Sequence, residues 1–279
     1  MRDEIIQLPH TRIAVRHYGD EDMERIYAFH GWLDNADSFV PLAEYLGDFH
    51  LIAVDWAGHG LSDHRSADGH YHFVDWIHDM NEVVEYFAED KVNLLGHSLG
   101  GMVAQAYAAA FPEKVSKLVS IDCLGFLTSK AEETRDNLRK GILSRMKLRD
   151  KKKTVRPEKE SAIQARKMAG DFSLEVSAKL VERNLQQIED GWIWRSDPRL
   201  TTQSLFRLTD EQADNLMEAI TCPFLFIHGE KGMELFKKNL EKYKDRIKSL
   251  QEAVVSGGHH CHMEHPQQVA EIIKRFYSG

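Results

Sequence analysis

Ser98 stands between glycines in VNLLGHSLGGMVAQAYAAAF (Val92 to Phe111), where an apolar run gives way to a helical pattern. The pentapeptide Gly96-His97-Ser98-Leu99-Gly100 fits G-x-S-x-G, and a strand before it and a helix after it are the context of a nucleophile elbow. So tight a turn forces the serine into strained backbone angles, at about 1–3 kcal/mol, and leaves no room for bulk beside it. Gly96, Gly100 and Gly101 meet that need. The turn carries Oγ to the carboxyl ends of the strands, where open sheets bind ligands, and leaves the Leu99 N–H free to hold a developing oxyanion.

A serine hydroxyl is a poor nucleophile alone, so the chemistry demands a base. SGGHHCHMEHP (Ser256 to Pro266) offers four histidines. His259 follows Gly257-Gly258 directly after the last expected strand, on a loop able to face the elbow, and is the expected general base. His260, His262 and His265 are its rivals; His262 is read as a buried histidine hydrogen-bonded within the loop. HHCH also suggests zinc, but no acidic or histidine partner with recognised spacing accompanies it, and no metal or other cofactor is expected. An oxyanion hole usually takes a second donor from the loop after an early strand. FHGWLDN (Phe29 to Asn35) fits that place, with the Trp32 N–H joining Leu99 and the indole walling the pocket.

These groups need a scaffold, and the sequence supplies an α/β pattern of short apolar runs alternating with helical stretches. Expected strands are Arg12 to Tyr18, Arg25 to His30, Leu51 to Trp56, Val92 to Gly96 and Lys117 to Asp122, the first a candidate antiparallel edge. Expected helices are Ser38 to Leu46, Val74 to Phe87, with Trp76 facing the core, and Leu99 to Phe111. From Gly125 to Leu200 the strand signal gives way to charged helical stretches such as SLEVSAKLVERNLQQI (Ser173 to Ile188). Residues 125–200 are therefore read as a helical cap inserted between two parts of one core, 1–124 and 201–279. Strands Cys222 to Gly229 and Ser249 to Gly257 and a closing helix from Pro266 complete the core.

At 279 residues and 42% hydrophobic side chains, the chain can bury one large core. No stretch of roughly 18 uncharged apolar residues occurs, so no membrane span is expected, and MRDEIIQLPH lacks a signal-peptide core. Three cysteines without a CxxC pair argue against a disulfide framework. The expectation is a cytoplasmic protein, monomer or homodimer, acting on a small molecule. A net charge of -8 disfavours nucleic acid as a partner. Lys130 to Lys167 nevertheless holds 14 basic and 6 acidic residues. KLRDKKKTVRPEK (Lys147 to Lys159) is read as a solvated loop between cap helices, with attraction of anionic substrates or contact with an acidic membrane surface as the alternatives. In GWIWRSDPRLTTQSLFR (Gly191 to Arg207), Arg195, Asp197, Arg199 and Arg207 suggest a hinge fixed by an Arg–Asp contact; an arginine reaching the pocket would instead imply a substrate carboxylate.

Elbow, His30-Gly31-Trp32, DWAGHGLSD (Asp55 to Asp63) and Gly258-His259, in that order, resemble the α/β-hydrolase superfamily. HGWLDNADSF, GHGLSDH, GHSLGG, WRSDPRL and GGHHCHMEHP together resemble its serine hydrolase-like, Kraken-type family. The resemblance implies a cofactor-free Ser-His-acid hydrolase with a cap, acting on an ester or related acyl substrate of unspecified structure. Lyase chemistry, cofactor-free haloperoxidase or perhydrolase chemistry in the same pocket, and a non-catalytic small-molecule binding module are the alternatives. Many relatives carry the acid in a motif resembling H-G-x-x-D, where this chain reads His228-Gly229-Glu230-Lys231-Gly232. The acid must lie elsewhere: Asp122, ending KLVSID, is the leading candidate, with Glu230 and then Glu234 as alternatives.

Overall fold

Along each central strand, alternate side chains point to opposite faces, and here both faces are apolar. Tyr27, Phe29, Leu94, Leu118, Phe224 and Phe226 belong to one core cluster, while Ile26, Ala28, Leu95, Val119, Leu225 and Ile227 belong to another. A sheet of that kind must be covered by helices on both sides. The computed structural model describes residues 1–149, 154–170 and 172–279.

Its strands are β1 (Arg2–Gln7), β2 (Arg12–Tyr18), β3 (Arg25–Phe29), β4 (His50–Val54), β5 (Val92–His97), β6 (Val115–Ile121), β7 (Leu185–Ile188), β8 (Gly191–Trp194), β9 (Phe224–Gly229) and β10 (Leu250–Val255). The helices are α1 (Val40–Ala43), α2 (Phe73–Tyr86), α3 (Leu99–Ala110), α4 (Thr134–Arg149), α5 (Lys159–Met168), α6 (Leu174–Asn184), α7 (Asp210–Glu218), α8 (Glu234–Tyr243), α9 (Cys261–Glu264) and α10 (Pro266–Ser278). Eight strands form the main sheet in the order β1-β2-β4-β3-β5-β6-β9-β10. Pairing from β4 through to β10 is parallel, whereas β1–β2 and β2–β4 are antiparallel. Helices α2, α3, α7 and α8 cover the first face through Met80, Val103, Met217 and Phe236; α1 and α10 cover the second through Leu42 and Ile273. Trp76 is buried on α2, as its helical position predicts. None of the described helices is long and apolar enough to cross a membrane.

Three elements differ from the sequence expectation. The strand Arg12–Tyr18 is antiparallel, but the edge belongs to β1, in which only Ile6 is buried. With one inward side chain, β1 carries almost no alternation to read. Between Ala36 and Phe39 the chain forms a 3-10 turn, capped by Asn35 accepting from the Asp37 N–H, before the single turn of α1. The stretch Ser173–Ile188 is helical only to Asn184; Leu185–Ile188 turns back as a hairpin with Gly191–Trp194. LQQI fits a helix equally well by propensity, and packing of Leu185, Trp192 and Trp194 on Ala162 and Val181 decides for the strand.

The segment joining β6 to β9 is tied to the core by buried ion pairs. Arg183 on α6, 1% exposed, donates through Nε to the fully buried Asp55 at 2.8 Å and through a terminal nitrogen to Asp3 at 2.8 Å. Asp55 also accepts the Ala36 and Leu61 N–H groups at 2.7 and 2.9 Å, which shapes the GHGLSD loop. Arg199 holds Asp197 and reaches the Ser66 and Gly69 carbonyls, each at 2.6 Å, so the expected Arg–Asp contact fixes the return to the core. The basic run Lys147–Lys159 lies partly outside the described residues, which omit 150–153. Because removing one partner leaves a buried charge uncompensated, Arg183→Met is expected to cost about 3–5 kcal/mol, read as a lower urea midpoint. An unchanged midpoint would show that Asp55 is solvated in the variant.

Candidate active site

Parallel strands β5, β6, β9 and β10 are neighbours and end on one edge of the sheet, and the candidate residues sit where those ends turn. Ser98 follows β5 with φ 50° and ψ −114°, a left-handed bend at which L residues are strained. Its N–H donates to the Ile121 carbonyl at 3.1 Å. Helix α3 runs so close to β3 that a Cβ on Gly100 would lie 2.0 Å from the Phe29 carbonyl oxygen, so only glycine fits the elbow there.

His259, in the loop between β10 and α9, has Nε2 3.0 Å from Ser98 Oγ and Nδ1 2.6 Å from Asp122 Oδ2. A carboxylate can only accept, so Nδ1–H donates to Asp122 and Nε2 is left to accept from the serine hydroxyl. Asp122 follows β6, is buried, and has φ 43°. Its Oδ2 also accepts the Met233 N–H at 3.2 Å.

Gly232 explains why the acid comes from β6. A Cβ at Gly232 would lie 2.0 Å from Asp122 Oδ1. The space that a side chain at 232 would take, in the turn after β9, is filled by the carboxylate arriving from the neighbouring strand. Glu230 is exposed in that turn, and Glu234 pairs with Lys237 at 3.3 Å at the start of α8.

The other histidines have different surroundings. His260 Nε2 lies 3.2 Å from Asp34 Oδ2, and His265 is exposed just before α10. His262 is buried but, contrary to expectation, neither ring nitrogen has a hydrogen-bond partner among the described residues; it packs against His97 and Phe39 with centroids 4.3 and 5.8 Å apart. Burial drives its pKa well below the usual histidine value, so the ring is neutral.

Asp34, which carries no motif signal of its own within FHGWLDN, is the hub beneath the site. Its carboxylate, 1% exposed, takes Arg166 of α5 at 2.5 Å and His260 at 3.2 Å, and lies 3.6 Å from His97 Nδ1. His97 Nε2 donates to the His259 carbonyl at 2.9 Å, tying the elbow to the loop that carries the base. Asp34, His97 and His260 present three metal-type ligand atoms within 4.8 Å of one another, with the Arg166 guanidinium already answering the carboxylate's charge. The acidic partner that the HHCH run lacks in sequence is supplied in space, 226 residues away from His260.

Opposite the elbow, Leu33 is left-handed at φ 62° and its N–H donates to His59 Nε2 at 3.2 Å. The Trp32 indole is half exposed and donates to the Leu200 carbonyl at 3.0 Å, bracing the loop against the inserted segment. The backbone N–H groups of Trp32 and Leu99 donate to no other group among the described residues.

Residues 24–266 match the alpha/beta hydrolase fold family. The chain belongs to it. A serine hydrolase-like protein of Danio rerio is 30% identical over 93% of this chain and 83% of its own length. A putative 2-succinyl-6-hydroxy-2,4-cyclohexadiene-1-carboxylate synthase of Bacillus subtilis is 28% identical over 96% of each. Among solved structures, a hypothetical protein of Pseudomonas aeruginosa PAO1 superposes with a TM-score of 0.93 at 33% identity, covering 100% of both chains. The chain is therefore serine hydrolase-like in sequence and α/β-hydrolase in fold.

Two expectations follow from this geometry. Gly232→Ala drives a methyl group into the Asp122 carboxylate and should lower turnover of any substrate that uses His259 by at least tenfold, while the melting temperature moves little; an unaffected rate would show that Asp122 does not orient the base. Burial lowers the pKa values of His30 and His97 to about 4. Between that value and the ordinary histidine value near 6.5 the unfolded chain binds protons that the folded one refuses. Stability is thus expected to fall as pH drops from about 6.5 towards 4, seen as a declining melting temperature.

Proposed function

We propose that this hydrolase is a cofactor-free, carboxylesterase-like serine enzyme acting on a small ester or related acyl substrate. The observation that carries the reading is His259, which bridges Ser98 Oγ at 3.0 Å and Asp122 Oδ2 at 2.6 Å. In the proposed cycle His259 Nε2 takes the Ser98 proton as Oγ attacks the carbonyl. Asp122 holds the imidazole in the accepting tautomer and stabilises the imidazolium that forms. The Trp32 and Leu99 N–H groups receive the oxyanion, each donor being worth about 10²–10³ in rate. His259 then protonates the leaving group, and the acyl-enzyme is hydrolysed by water that His259 activates.

Residues 125–200 act in this reading as a cap that limits water near the reacting bond and shapes the pocket. Its support is the pair of contacts that reach the oxyanion loop, Arg166 on Asp34 and the Leu200 carbonyl on the Trp32 indole. The Bacillus relative, named a synthase and not a hydrolase, favours a second reading, in which the same serine and base serve a non-hydrolytic step with no acyl-enzyme.

A fluorophosphonate probe should label the wild type and not Ser98→Ala. Asp122→Asn should cut ester turnover by about 10⁴, the loss typical of a triad acid, and Glu230→Gln by less than about twofold. Folding of each variant is checked by circular dichroism. A folded wild type that resists the probe and turns over no ester would overturn the acyl-enzyme reading, and a crippling effect of Glu230→Gln with a harmless Asp122→Asn would reverse the assignment of the acid.

A further inference from the structure

A cavity of about 360 Å³ lies in the inserted segment and meets the core at Leu33, the neighbour of Trp32 on the oxyanion loop. Arg156, Arg166, Trp194 and Asp197 are among the residues that line it. The volume is at the small end of the range for ligand pockets, roughly 300–1,000 Å³. Its charges do not balance. Arg166 is answered by Asp34 at 2.5 Å, and Asp197 by Arg199 at 2.7 Å, with the Tyr71 hydroxyl donating to it at 2.9 Å. Arg156 forms no ion pair among the described residues.

The side chain of Arg156 is half buried, donates one weak hydrogen bond to the Ser161 carbonyl at 3.3 Å, and keeps a buried Nε with no partner. Its backbone, by contrast, is fixed. Arg156 N–H donates to the Trp192 carbonyl at 2.9 Å and the Trp192 N–H returns the bond at 2.8 Å. The hairpin can lie this close because Gly191, at φ 138°, has no Cβ; one would fall 2.3 Å from the Arg156 carbonyl oxygen. The guanidinium carbon lies 5.8 Å from the Trp194 ring, an aromatic face that steadies a cation while leaving its donors to a ligand. A planar fork of donors with one spare positive charge suits a single carboxylate.

We propose that this cavity is the specificity pocket of the hydrolase and that Arg156 binds a single carboxylate group of the substrate, at a distance from the bond that Ser98 attacks. The inference rests on the serine-hydrolase reading of Ser98 and names the substrate class for it: small monocarboxylate esters. One unpaired cation answers one negative charge. A second carboxylate would face Asp197, and the other lining cation, Arg166, is already engaged by Asp34.

The test uses two matched pairs, because the charge could lie on either side of the scissile bond. Mono-4-nitrophenyl glutarate is compared with 4-nitrophenyl pentanoate, and 4-acetoxybenzoate with its methyl ester. In at least one pair the wild type should favour the anion in kcat/KM by about tenfold or more. Arg156→Gln should lower that anionic rate by about 10- to 100-fold, the usual worth of a charge-assisted hydrogen bond, and leave the neutral partner within about twofold. Arg156→Lys should restore part of the preference. If neither pair favours the anion, or if Arg156→Gln slows both members alike, the proposal fails. Fluorophosphonate labelling of Ser98 separates the two levels: a labelled enzyme indifferent to charge sinks only the pocket assignment, whereas one that is not labelled and cleaves none of the four esters sinks the hydrolase reading beneath it.

Discussion

The hydrogen bond from His259 Nδ1 to Asp122 Oδ2, 2.6 Å long, is the constraint around which the molecule is arranged. It joins residues 137 positions apart, and it can form only because their strands end together. In the sheet the order β5-β6-β9-β10 is also the order Ser98, Asp122, Gly232, His259 along its carboxyl edge. Nucleophile and acid come from adjacent strand ends, and the base reaches back over the turn after β9. That turn must be empty at position 232 for the Asp122 carboxylate to fit. Relocating the acid to β6 and having glycine after β9 are therefore one structural fact, expressed at two places in the sequence.

Buried ion pairs fix the inserted segment to this edge. Arg166 meets Asp34 and Arg183 meets Asp55, and all four side chains are largely buried. Such pairs give up much of their Coulombic gain to desolvation, so what they contribute is position. Asp34 does this for several elements at once. Through Arg166 it registers α5, through His260 the loop that carries His259, and it faces His97 beside the elbow. His97 then grips the His259 carbonyl. A displacement of α5 would thus be felt at the candidate base through a short chain of polar contacts.

What the sequence disclosed was local. The elbow was legible because strand, glycines, serine and helix lie within twenty consecutive residues, and His259 because a Gly-Gly loop follows a strand. Asp122 emerged by exclusion, from a glycine standing where relatives carry an acid. The Asp34 hub was not legible, since its four members come from four separate regions and only folding brings them together. Nor were β1 and the β7–β8 hairpin. One inward residue gives no period, and LQQI carries no preference strong enough to oppose the helix before it.

Strain shows where the fold spends its stability. Among the described residues, four that are not glycine have positive φ, and three of them, Leu33, Ser98 and Asp122, border the site. Each is pinned by its own N–H: Leu33 to His59, Ser98 to the Ile121 carbonyl, Asp122 to the Ile227 carbonyl. Backbone held in so costly a region persists only where the surroundings over-determine it. The pinning also has a directional effect. With Leu33 and Ser98 anchored, the adjoining Trp32 and Leu99 present N–H groups that have no acceptor among the described residues. Backbone donors of that kind are costly to keep dry and unpaired, and a developing negative charge is the partner that repays them most.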